Sequence, residues 1–238
     1  MLTYLLLFCV SFAAALVSGS AGFGGALLLL PVLVPMVGVN NAVPLLTVAQ
    51  LVGNGSRVAF GFRRIHWKPV ILFLCAAIPL SIVGAFTFVQ LPKGIVSRCI
   101  GAAILLFLFL RAPQETARRH ERAFLFFGGG LTGFLSGLVG SAGPLGAAIF
   151  LSLRLNPVAY IASEATTALA IHGAKMLVYQ RFVALDARFW GTAAIAAAGM
   201  VLGTWAAKRV LLRMPAKIFH KYVRILLLVL AAYMVLFG

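Results

Sequence analysis

The chain has 238 residues, 63% hydrophobic and only 10% charged. A soluble domain carries roughly 25% charged residues and must cover its outside with polar groups. The composition therefore excludes a soluble enzyme domain, a disordered chain and a disulfide scaffold, and describes a polytopic membrane protein. Twenty Lys and Arg against four Asp and Glu leave a net charge of +16. These charges fall in short clusters between long apolar runs, the pattern of positive cytoplasmic loops. A nucleic-acid partner is not expected.

A membrane-crossing helix needs roughly 20 apolar residues. Ten apolar segments follow in chain order: 2–18, 23–38, 42–61, 69–90, 95–110, 123–139, 144–153, 158–180, 189–207 and 218–237. No positive stretch precedes the first, so it is expected to be a retained span and not a cleaved signal. The second and seventh are short, and each opens at a glycine-rich stretch. Cys9, Cys75 and Cys99 lie in or beside apolar segments with no metal spacing and are expected as buried free thiols.

The basic clusters at Arg63–Lys68, Arg111–Arg122, Arg154 and Lys208–Arg224 fall on one side if the segments alternate. Only Lys93, Arg98, Arg181 and Arg188 fall on the other, which puts both termini outside and the 111–122 loop in the cytoplasm. The chain also repeats itself. Gly19-Ser20-Ala21-Gly22-Phe23-Gly24-Gly25 matches Gly140-Ser141-Ala142-Gly143-Pro144-Leu145-Gly146 at an offset of 121. Thr47, Gly53 and Phe62 match Thr167, Gly173 and Phe182 at 120, and Gly84 matches Gly203 at 119. Such a steady offset marks an internal duplication. Five segments per half is an odd number, so the second half enters from the opposite face. The expected fold is an all-α polytopic integral membrane protein with two inverted-topology repeats, residues 1–110 and 123–238, joined by a cytoplasmic linker at 111–122. The short segments are either spans or re-entrant hairpins.

Irregular backbone survives in a membrane only where protein or a water-filled cavity surrounds it. A helix that starts there points free N–H groups outward and suits an anion. Gly19, Ser20, Gly22 and Gly25, with Gly140, Ser141 and Gly143, are the expected binding tips. The alternative is helix packing by small residues, the reading for Gly129, Gly133 and Gly137. In the third segment, Thr47, Gln50, Asn54 and Arg57 form one helical stripe facing the interior. The first three are candidate ligands or interhelical hydrogen-bonding groups. Arg57, near the segment end, is expected to snorkel.

The eighth segment carries Glu164, Thr166, Thr167, His172 and Lys175. Ionisable groups at such depth are expensive and usually functional. Lys175 suits an anion as a point charge, and His172 and Glu164 suit proton coupling. Glu164 and Lys175 lie roughly 16 Å apart along a helix and cannot pair. One carboxylate against two cations within the apolar segments favours an anionic cargo. No catalytic motif, P-loop, metal set or cofactor signature is present, so no enzyme is expected.

The stretch GSAGFGGALLLLPVL, its echo GLVGSAGPLGAAIF and the Thr-containing third segment of each half resemble the TauE/SafE family, within the sulfite-exporter and sulfonate-permease group. The resemblance covers nearly the whole chain. It places the family's Gly-rich turns at Gly19–Gly25 and Gly140–Gly146. Its third-segment signature falls at Leu46-Thr47-Val48 and Thr166-Thr167-Ala168, with Val48 where the family tends to have Ser. It implies a secondary carrier in the bacterial inner membrane, moving a sulfur-containing or organic anion with an ion gradient, and His172 or Glu164 makes a proton the expected coupling ion. A passive anion channel and a non-transporting subunit of a complex are the alternatives. A homodimer is the oligomer expected of so small a carrier.

Overall fold

The computed structural model describes residues 2–87, 98, 102, 105, 114–139, 141–179 and 187–237. Among them there are helices and turns and no strand. The helices are α1 (Leu2–Ala21), α2 (Gly25–Gly61), α3 (Trp67–Thr87), α4 (Gln114–Val139), α5 (Gly143–Ser152), α6 (Pro157–Tyr179), α7 (Ala187–Arg213) and α8 (Ala216–Phe237), with a 3-10 turn at Phe62–Arg64. Stretches Leu2–Ala21, Trp67–Phe86 and Phe189–Arg213 are long and apolar enough to cross a membrane. Residues 114–122 of the expected linker form the first turns of α4. The fifth apolar segment, 95–110, lies outside the described residues except at 98, 102 and 105.

The two short segments take different forms. The second is the first arm of α2, which breaks at Gly38 (φ 76°, ψ 161°). Pro31, Pro35 and Pro44 lie inside α2, and each removes a helix hydrogen bond, so the bend falls where the backbone ladder is already weakened. The seventh is α5, ten residues long. At 1.5 Å per residue it reaches about 15 Å, half the hydrocarbon thickness. Asn156 Oδ1 caps the next helix by accepting from the Ala159 N–H at 2.9 Å, with Pro157 at the first helical position.

Glycine sets the tightest packing. On α4, Gly129, Gly133 and Gly137 lie against the backbone carbonyls of Phe73, Ala77 and Ser81 on α3. A Cβ at any of them would overlap carbonyl oxygen. The other close pair is α1 with α7, where Gly199 and Gly203 meet the carbonyls of Phe8 and Phe12. Such approach replaces a hydrophobic drive that lipid does not supply between helices. The Gly129-Gly133-Gly137 packing expectation is borne out. The expectation of buried thiols is not borne out for Cys9 and Cys75, which are free but exposed on the outer faces of α1 and α3; Cys99 lies outside the described residues. Apolar segments there turn a side to the lipid, so an apolar neighbourhood in sequence does not bury a thiol.

Three connections gather at one end. Gly61 packs on Val158 and Ala162. The His66 N–H donates to Ser163 Oγ at 2.9 Å. Lys208 Nζ stands 5.0 Å from the centre of the Phe60 ring. Exposed Arg63, Arg64 and Arg154 therefore share an end with the basic run that opens at Lys208, the grouping expected from the charge pattern.

Gly133→Leu should wedge α3 from α4 and lower stability by about 1–3 kcal/mol or more. Gly191→Ala, with nothing within 4 Å of the added carbon, should change it by no more than about 0.5–1 kcal/mol. Thermal unfolding of the purified protein in detergent checks both; equal midpoints would contradict the packing.

Candidate functional site

The first tip is the break between α1 and α2. Gly22 (φ 91°) and Gly24 (φ 97°) are left-handed, a conformation that costs a residue with a Cβ roughly 1–2 kcal/mol. At the turn the Ser18 oxygen accepts the Gly22 N–H at 2.8 Å and keeps a second lone pair, as does the Gly22 oxygen that follows the helix. Arg57 reaches them from the far end of α2. Its Nη1 donates to the oxygens of Ser18 at 3.0 Å and Gly22 at 3.1 Å, and its Nη2 donates to Asn54 Oδ1. Glu164 Oε2 on α6 completes an ion pair, 3.5 Å from Nη1. Arg57 is 5% exposed. It does not snorkel: the side chain runs inward, because the end of α1 supplies acceptors and α6 supplies the opposite charge.

Tyr160 joins this tip to the second. Its hydroxyl lies 3.2 Å from both the Ala21 and Ala147 oxygens. The ring blocks any Cβ at Gly22 and packs edge-on against Phe219 at 5.3 Å. At the second tip, Gly143 lies against Phe23, with a would-be Cβ 3.8 Å from the Phe23 Cβ. The tips therefore meet. Ser141 is half-buried; Gly140 lies outside the described residues.

Of the other expected ligands, Gln50 is the best placed. It is 4% exposed, and its Nε2 is buried without a hydrogen-bond partner. That nitrogen lies against Gly25, the first residue of α2, beside Ser18 Oγ. Gly19 and Ser20 face away from this cluster. Gly19 packs on Ala207, and Ser20 Oγ bonds the Val17 oxygen and the Tyr222 hydroxyl. The Thr47, Thr166 and Thr167 hydroxyls donate to the carbonyls of Val43, Ala162 and Glu164 at 2.8, 2.7 and 2.7 Å.

Farther along α6, His172 is buried, and its Nδ1 has no hydrogen-bond partner. Lys175 is fully buried, and its Nζ donates to the Ser136 oxygen at 3.2 Å and to Ser136 Oγ at 3.0 Å. This repeats the first tip. In both places a cation holds the carbonyl of a serine three residues before a helix end, α1 or α4, and in each case 39 residues separate the two.

The chain matches the family model "Sulfite exporter TauE/SafE" over residues 7–234. The chain belongs to the TauE/SafE family. Searches of curated proteins and of solved structures gave no match. Membership makes this an integral membrane protein of an anion-transporter family. It also points away from an enzyme. In this TauE/SafE chain the sequence pattern pointed to Gln50, Glu164, His172 and Lys175 as interior groups, placed Arg57 at the membrane edge where the structure buries it, and gave no sign of Tyr160. Arg57 shared the Gln50–Asn54 stripe, which was the signal available. Tyr160 gave none beyond being aromatic.

Tyr160→Phe leaves the carbonyls of Ala21 and Ala147 without this donor. It should cost about 1–3 kcal/mol, read as a lower thermal midpoint with helix content retained. An unchanged midpoint would remove the bridge between the tips.

Proposed function

We propose that the chain is a secondary transporter that carries a small sulfur-containing or organic anion across the bacterial inner membrane by alternating access, coupled to a proton. Residues 1–110 and 123–238 form the two halves that move against each other, with 111–122 between them. The observation that supports the reading is that Gln50 Nε2 and His172 Nδ1 are two of the buried nitrogens without a hydrogen-bond partner, on helices α2 and α6 that pack together.

Buried polar atoms are normally satisfied, and one without a partner in a cleft of donors suits a ligand. Gln50, the first backbone N–H groups of α2 at Gly25 and the single Gly143 N–H of α5, where Pro144 has none and Leu145 and Gly146 donate to Ala142, offer protons to an anion. Lys175 adds charge from α6. Thr47, Asn54, Thr166 and Thr167 line the path and can turn their polar groups toward it. His172 and Glu164 carry the proton. The family's sulfite-export description supports an oxyanion of sulfur as cargo.

Purified protein in proteoliposomes should take up labelled sulfite, thiosulfate or a short sulfonate saturably, and faster with a pH gradient. Absence of flux for the whole panel in both gradient directions would sink the reading, and large unitary currents would mark a channel instead. Lys175→Ala should raise the half-saturation concentration roughly tenfold, the size of one charge-assisted contact. Unchanged half-saturation would take Lys175 out of the site.

A further inference from the structure

We propose that Arg57 is the group that receives the anion, and that Glu164 is a built-in carboxylate that competes with the anion for it. The inference rests on the carrier reading above and specifies how its proton and its cargo are linked.

Among the described residues, Arg57 has three neutral oxygen acceptors and one opposite charge. The Ser18, Gly22 and Asn54 oxygens that it binds are neutral. Glu164 supplies the charge from 3.5 Å. That contact is incomplete: Glu164 Oε2 accepts no hydrogen bond, and Arg57 Nε donates none, although both are buried. A guanidinium and a carboxylate normally settle into a two-bond fork. Here the fork is not made, and the pair keeps one donor and one acceptor unused. Seven residues back on the same face of α2, Gln50 Nε2 is a second unused donor beside Ser18 and Gly25. Arg57 Nε and Gln50 Nε2 are thus two unused donors on one face of α2, with Glu164 Oε2 the unused acceptor beside them.

A carboxylate and a sulfur oxyanion ask the same thing of a guanidinium: charge and paired oxygens. With Glu164 ionised, an arriving anion meets a cation already neutralised and a like charge beside it. With Glu164 protonated, Arg57 is an unbalanced buried cation that the anion completes. One proton binds a Glu164 oxygen as one anion takes the guanidinium. On the other side the anion leaves, the proton leaves Glu164, and the ion pair re-forms.

No other carboxylate among the described residues can substitute. Glu115 and Glu121 sit in the first turns of α4, and Asp186 lies outside the described residues. The titratable groups nearest the pair are Tyr160, one turn away on α6, and then His172 and Lys175 farther along it. From packed elements come Lys208 on α7, Arg63 and Arg64 of the 3-10 turn, His66 and Lys68 at the start of α3, and Tyr222 on α8. Among α1's titratable groups, Tyr4 and Cys9 lie well back from this tip; α5 carries none.

The test is binding of methanesulfonate and thiosulfate, whose charges are constant between pH 5.5 and 7.5, to the full chain in detergent. Wild type should bind at least one of them at least tenfold more tightly at pH 5.5. In weak buffer it should take up about one proton per anion. Glu164→Gln should bind tightly at both pH values, and its proteoliposome uptake should no longer respond to a pH gradient. Arg57→Lys, which keeps the charge and loses the fork, should bind at least tenfold more weakly at pH 5.5. Equal wild-type affinity at both pH values, no proton uptake, an Arg57→Lys variant that binds like wild type, or pH dependence that survives in Glu164→Gln would each overturn the inference and leave the carrier standing. Absence of wild-type binding of either anion at both pH values would overturn both.

Discussion

A guanidinium cannot be left alone in a dry interior, and the arrangement around Arg57 answers that constraint. Helix α1 ends at Ala21, and the oxygens of Ser18 and Gly22 at that end both take a donor from Arg57. The left-handed glycines of the turn leave the Gly22 oxygen within reach. Helix α2 folds back at Gly38 and returns the cation to the tip where α2 began. Helix α6 crosses behind and brings Glu164. One side chain thus fastens three helices, and it sits at the negative end of the α1 dipole, where a cation is favoured. The broken helix and the buried cation need each other.

The same solution recurs with a different residue. Lys175 holds Ser136 near the end of α4 as Arg57 holds Ser18 near the end of α1, over the same 39-residue spacing. Each first helix is also pressed along its length against a helix from the other part of the sequence, α1 on α7 and α4 on α3, through glycines that let backbones touch. Fixed along their sides and clamped at their ends, the two helices hold the tips at a defined separation. Tyr160 then spans that separation with one hydroxyl.

Much of this was legible in the sequence, because membranes impose simple rules. Hydrophobic runs gave the helices, and the repeated glycine motifs gave two tips that do meet. The Gly129-Gly133-Gly137 spacing gave a helix contact. What was not legible depends on tertiary distance. Arg57 lies four residues before the end of α2, and from that position snorkelling is the cheaper prospect; only the folded end of α1 reverses the balance. The 39-residue correspondence was hidden because the glycine motifs align at offsets of 119–121 while the Arg57 and Lys175 pairs align at 118. The cysteines failed for the opposite reason: hydrophobicity tells which residues avoid water, and not which of those face protein and which face lipid.

The two clamps are matched in place and unequal in chemistry, and the inequality bears on how a carrier of this design would turn over. Arginine offers a planar fork with several donors, so Arg57 can keep the Ser18 and Gly22 carbonyls on one nitrogen while another takes a new acceptor. Lysine offers one compact ammonium on a flexible stem, so an anion drawn to Lys175 competes directly with the Ser136 oxygens. Under the proposed cycle, the α1 tip stays held while its ion pair exchanges, whereas the α4 end can be let go. Two identical clamps would make the two ends of a symmetric carrier equivalent in energy. An arginine with its own carboxylate facing a lysine on a serine makes them different, and under the proposed cycle that difference would set which state the carrier prefers at rest.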